Sequence, residues 1–173
     1  MAHYRRAKGS IFFFTLVLAD RSSTLLVDQI ERLKRSYQMV RECRPFETVA
    51  ICILPDHLHA IWTLPEGDLD FSTRWNLIKS SFSRGLDAQT RSQSKIIKRE
   101  KGIWQRRYWE HSIRNDADLE RHVDYIHFNP VKHGHVARAV DWPYCSFRRY
   151  VARGLLTEDW GGDIRDLPGA FGE

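Results

Sequence analysis

Residues 46–64, FETVAICILPDHLHAIWTL, hold two apolar runs, 46–54 and 57–64, with only Pro55-Asp56 between them. Parallel strands need a crossover of a dozen or more residues, so two strands joined this tightly form an antiparallel hairpin. Side chains alternate between the two faces of a strand. His57 and His59 therefore share a face near the closed end of the hairpin, and Leu58 takes the opposite one. Two imidazoles so placed can grip a metal ion, or can sit on a strand with ordinary partners. The spacing alone does not choose.

The rest of the chain supplies what such a hairpin packs against. SIFFFTLVLA (10–19) reads as a buried strand, and STLLVDQIERLKRSYQMVREC (23–43) as an amphipathic helix with Ser23 as its cap. RWNLIKSSFSRGL (74–86) is a basic helix, and YWEHSIR (108–114) alternates like a strand. Asp116 opens a last core helix, ADLERHVDYIHFN (117–129), which Pro130 helps to stop. Residues 87–102, polar, basic and hardly periodic, are expected to form a mobile loop. The order predicts an α+β fold: an antiparallel sheet with helices against it, near the ferredoxin-like plan. At 173 residues this is one domain, 1–140, with an appendage, 141–173, packed on it.

Several classes drop out on composition. No apolar run approaches the ~20 residues that span a bilayer, and the basic N-terminus is not followed by a signal-peptide core. Cys43, Cys52 and Cys145 lack CxxC spacing, which fits reduced thiols and a cytoplasmic location. The net charge is +5, but between Arg74 and Arg107 ten cations face only Asp87 and Glu100. Trp75, Phe82 and Trp104 are interleaved with them. A solvated charged face would look similar, yet the aromatics favour nucleic acid, whose phosphates need cations and whose unstacked bases need platforms.

In HVDYIHFNPVKHG, Tyr125 and Asn129 are four residues apart and project from one helical face. A core tyrosine and a helix-ending asparagine would satisfy the same spacing. Beside a paired-histidine strand, however, these residues make a complete chemical set. His57, His59 and the Asn129 amide oxygen could hold a divalent ion, with Tyr125 one turn away as a nucleophile. HExxH is absent, and HLHAIW lacks the downstream ligands of a metallo-β-lactamase. Tyr108 is the rival nucleophile, without an amide one turn away; His111 and His127 are read as core or surface residues.

LPDHLHAIW, IWQRRYWEH, VDYIHFNPVKHG and DWPYCSF, in this order, resemble the REP-associated tyrosine transposases. These are a bacterial branch of the HUH single-strand DNA transposases, and the match runs from about Tyr4 to Asp163. The resemblance implies an HUH nuclease fold, with His57, His59 and Asn129 as metal ligands and Tyr125 as the nucleophile. Insertion-sequence relatives more often carry glutamine where Asn129 stands. It further implies Mg²⁺ or Mn²⁺ as cofactor and single-stranded DNA hairpins, the repetitive extragenic palindromes, as partners; a monomer is expected of this branch, with the dimer of insertion-sequence relatives as the alternative. The expected reaction cleaves and rejoins strands through a 5′-phosphotyrosine; a hairpin-binding regulator that has lost cleavage is the alternative. Candidate DNA contacts are Tyr4, Arg5 and Arg6, then Arg74, Lys79, Arg84, Lys95, Lys98, Arg99, Lys101, Arg106 and Arg107. For Trp142, Pro143, Phe147, Arg148 and Arg149, packing explains the aromatics at least as well as DNA does.

Overall fold

One of the two inner strands is apolar at every position but Thr15. In the computed structural model, which describes residues 9–161, β1 (Ile11–Val17) is buried along its whole length. A strand reads as a continuous apolar run when both faces of its sheet are covered. The remaining strands are β2 (Glu47–Ile53), β3 (His57–Thr63) and β4 (Trp109–Ser112), in the order β2-β3-β1-β4 with every pairing antiparallel. This is the ferredoxin-like order that the sequence predicts. The hairpin closes where Leu54 N–H donates to the His57 carbonyl.

Register assigns each side chain its face. Pairing of Thr15 with His59, Val17 with His57 and Leu16 with Leu58 sets two layers. Phe12, Phe14, Leu16, Leu58, Ala60 and Trp62 pack against α2 (Ile30–Cys43) and α3 (Phe71–Ser83). Ile11, Phe13, Ala50, Cys52 and Ile61 pack against α5 (Asp116–Lys132) and α6 (Phe147–Ala152). The C-terminal segment also extends the sheet, since Ile53 N–H donates to the Tyr144 carbonyl and Ser146 N–H to that of Ile51.

Three expectations need correction. The helix expected over 23–43 breaks at Gln29 into α1 (Leu25–Asp28) and α2, and Ser23 Oγ accepts from Leu25 N–H just outside it. Residues 87–102 are not a featureless loop: they carry α4 (Gln93–Ile97) and are pinned by side chains. Lys101 Nζ donates to the carbonyls of Ser83 and Leu86, Arg91 to that of Glu100, and Lys95 to that of Trp104. Arginine closes this segment on its own backbone and the lysines tie it to the residues on either side, which apolar periodicity does not reveal. Finally, Pro130 does not stop α5, which runs through it to Lys132. Proline removes one helical N–H but keeps a helical φ, and the turn is held by His133 N–H donating to Asn129 and His135 N–H to Pro130.

Candidate active site

The face of the sheet beneath α5 carries the polar residues. His57 and His59 are buried, at 2% and 0% exposure, with ring centroids 5.0 Å apart. Each ring is fixed through Nδ1. That of His57 donates to the Asp56 carboxylate at 2.7 Å; that of His59 lies 2.8 Å from Thr15 Oγ1. Asp56 is itself held by Arg21 at 2.6 Å. Burial acts to raise the Asp56 pKa, but the hydrogen bonds from His57 and Arg21 outweigh it and hold the carboxyl below its usual range. With Nδ1 so engaged, Nε2 is the atom each imidazole presents for ligation, an arrangement common behind metal-binding histidines.

Helix α5 lays its inner face across these rings. Asn115 caps it by accepting from Asp118 N–H, and leucine, valine and isoleucine at 119, 123 and 126 anchor it to the sheet. Tyr125 is thereby set edge-on to His59, at 5.2 Å between ring centroids, and edge-on to Phe13 at 6.2 Å. Phe13 also stacks on His59, at 5.7 Å. Asn129, fully buried, reaches the His59 ring with its side chain. Burial pushes the His59 pKa down to about 3, helped by the positive charges of Lys132, His133 and Arg21 and opposed by Asn129. A neutral imidazole is the form that ligates a metal. Two imidazoles and an amide oxygen suit a divalent ion of borderline hardness.

Two residues join the site that the sequence reading passed over. Lys132 Nζ donates to Tyr125 Oη at 3.3 Å and lies 5.0 Å from the ring centroid. His133 stands edge-on to His57 at 5.1 Å, and burial lowers its pKa to about 4, with further repulsion from His57. Both follow Pro130, so a helix stopped there would have left them outside. Thr15 and Asp56 also escaped notice; the one signal available was that Asp56 directly precedes His57.

The rival candidates lie elsewhere. Tyr108 packs on the opposite face of the sheet, against Phe14, with its hydroxyl 3.2 Å from Ser72 Oγ. His127 points away from Tyr125 into the appendage, 3.0 Å from Ser146 Oγ and edge-on to Tyr150. His111, Asp118 and His122 form a close group with ligand atoms within 4.8 Å of one another. This geometry is compatible with an ion, but the donors already serve each other. His111 meets Asp118 Oδ2 at 2.9 Å, and His122 Nδ1 meets the Asp118 carbonyl at 2.8 Å. The group fastens β4 to the start of α5.

Of the candidate DNA contacts, Tyr4, Arg5 and Arg6 lie outside the described residues. Arg74 is a correction. It is 3% exposed, and its guanidinium is consumed by the Asp68 carboxylate and the carbonyls of Arg44, Pro45 and Asp70. Lys79 donates to the Gln105 carbonyl, and burial lowers its pKa to about 8. Lys95 and Lys101 hold the backbone as described, and Arg106 pairs with Glu100. Arg84, Lys98, Arg99 and Arg107 are exposed. Lys79, Arg84, Arg99, Lys101, Arg106 and Trp104 line one open cleft of about 570 Å³.

Comparison with known proteins agrees with this architecture. Residues 10–129 match the family described as IS200-like transposases. A Haemophilus influenzae relative, named as a REP-associated tyrosine transposase, is 50% identical over 167 residues, covering 94% of this chain and 95% of that one. The REP-associated tyrosine transposase of Escherichia coli K12 is 48% identical over 169 residues, covering 96% and 95%. A solved structure of such a transposase bound to a REP hairpin superposes with a TM-score of 0.82 at 47% identity, covering 100% of this chain and 98% of that one. No helix among the described residues is long and apolar enough to cross a membrane. With a family match over residues 10–129 and about half of its residues shared along nearly its whole length with these relatives, the chain belongs to the IS200-like transposases, in their REP-associated tyrosine branch.

Proposed function

We propose that this transposase is a metal-dependent endonuclease and strand transferase acting on single-stranded DNA hairpins through a 5′-phosphotyrosine. The observation that carries the reading is the meeting of His57, His59 and Asn129 with Tyr125 across the sheet–helix boundary. His57, His59 and Asn129 would hold the ion, Mg²⁺ or Mn²⁺, which supplies Lewis-acid polarisation of the scissile phosphate. Asp56 and Thr15 keep the two imidazoles turned toward that place. Tyr125 Oη attacks phosphorus, forming one phosphorus–oxygen bond as the bond to the 3′ oxygen breaks. The phenol gives up a proton and the departing 3′ oxygen takes one, freeing a 3′-hydroxyl. Because the phosphoester bond is exchanged rather than hydrolysed, a second 3′-hydroxyl can reverse the step and rejoin strands.

The hairpin partner is supported by the similar transposase solved with a REP hairpin. The cleft that includes Arg84 and Arg99, with the exposed Lys98 and Arg107 nearby in sequence, would grip phosphates. Incubation with a hairpin oligonucleotide and Mn²⁺ should give a covalent protein–DNA adduct on a denaturing gel. A hairpin-binding regulator that has lost cleavage would bind and give none.

A further inference from the structure

We infer that Lys132 is a catalytic residue of this site, holding the attacking oxygen of Tyr125 and countering charge on the scissile phosphodiester. The inference rests on the reading of Tyr125 as the nucleophile. Tyr125, Asn129 and Lys132 stand at positions i, i+4 and i+7 of α5, a single stripe along one face. The ammonium donates to Oη, the atom that forms the new bond. A lysine in the last turn of a helix needs no such contact to complement the helix dipole; facing solvent would serve equally.

The charge of the pocket points the same way. His57, His59 and Asn129 include no carboxylate, so a divalent ion held there keeps its full charge. Lys132, exposed in the last turn of α5 and bonded to Tyr125 Oη, adds another positive charge beside them. Two cations so placed repel unless an anion lies between them, and a phosphodiester is that anion.

During cleavage the Oη–phosphorus bond forms while the phosphorus–O3′ bond breaks. The phenolic proton departs to solvent, and the 3′ oxygen takes up a proton. In rejoining, Oη leaves with the electron pair of its bond to phosphorus. The ammonium stabilises negative charge on Oη in both directions.

The test uses the full chain, a hairpin oligonucleotide and Mn²⁺. Lys132→Gln should slow adduct formation by about 10²-fold, the usual effect of removing one preorganised donor. Lys132→Arg should recover much of that loss, since the charge returns. A second measurement needs no metal. In EDTA, the wild type should bind a hairpin with a phosphodiester at the mapped cleavage position more tightly than one with a neutral methylphosphonate there. Lys132→Gln should lose that preference. A wild-type rate for Lys132→Gln, or an unchanged preference in EDTA, overturns the assignment while leaving Tyr125 in place, provided that Tyr125→Phe gives no adduct. An adduct from Tyr125→Phe, or none from the wild type, overturns the nucleophile and Lys132 together.

Discussion

The two faces of the sheet are built from the same strands and do opposite things. On the face toward α2 and α3, Trp62 stacks between Phe46 and Trp75, each at 4.0 Å between centroids, and Leu58 and Leu16 fill the layer. The polar atoms there are few and structural: Trp62 Nε1 donates to the Tyr37 hydroxyl, which in turn lies 2.7 Å from Thr48 Oγ1. On the face toward α5, the matching positions of β1 and β3 hold Thr15, His59 and His57, all buried. A side chain one residue along β3 therefore moves from an apolar layer to the one that holds the proposed metal ligands. The difference teaches that stability and activity should separate cleanly along a single strand.

The largest effect should come from Tyr125→Phe, which removes one hydroxyl and keeps the ring that packs on His59 and Phe13. Adduct formation should fall to background with hairpin binding nearly intact, measured by gel and by titration. An adduct on Tyr108, from the apolar face, would break the division at once.

Next, His57→Ala or His59→Ala should reduce cleavage by orders of magnitude, and chelation by EDTA should do the same to the wild type. Leu58→Ala, between them, should instead cost about 2–5 kcal/mol of stability, as truncation of a buried leucine does. Its cleavage rate should stay near wild type wherever the protein is folded. Equal loss of activity and stability at all three positions would erase the contrast.

A smaller effect tests how far the polar face extends. Asp56→Asn keeps the size of the side chain but removes the charge that fixes His57. Metal affinity should drop by about 10–100-fold, the range for such supporting residues. Calorimetric titration with Mn²⁺ reads this directly, and unchanged affinity would confine the site to its ligands.

The smallest effects belong to the basic cleft. Lys98→Gln with Arg107→Gln, both exposed, should flatten the salt dependence of hairpin binding by roughly 0.7–0.9 in log–log slope per lost phosphate contact. Lys101→Gln should chiefly lower the melting temperature, because that lysine bonds Ser83 and Leu86. A steeper loss of salt dependence at Lys101 than at Lys98 would reverse these roles.

The division between faces was legible in the sequence where alternation could carry it. His57, Leu58 and His59 declare their sides by position, and the tight Pro55-Asp56 turn sets the hairpin. Tyr125 and Asn129 follow from helical spacing. What sequence could not give were features made by side chains bonding to backbone. Arg74 counts as a cation in a basic stretch until its guanidinium is seen closing the carbonyls of Arg44, Pro45 and Asp70. The same holds for Lys95 and Lys101, which tie 87–102 to the flanking carbonyls of Trp104, Ser83 and Leu86. Pro130 misled for another reason. Its usual effect on a helix is a tendency, and here one more turn, with Lys132 and His133 on it, is held by the backbone bonds beyond it.

The pairing of Tyr144 and Ser146 onto β2 has a consequence for how copies of this chain meet. A strand at the border of a sheet presents unpaired amides and carbonyls on which another molecule can add. On the β2 side, the segment around Cys145 already takes up part of that row. On the other side the border is β4, only four residues long, with Glu110 exposed on it and Arg107 just before it. Short length and charge both discourage a neighbour from continuing the sheet. Among the described residues, both borders of the sheet are thus shielded against edge-to-edge growth.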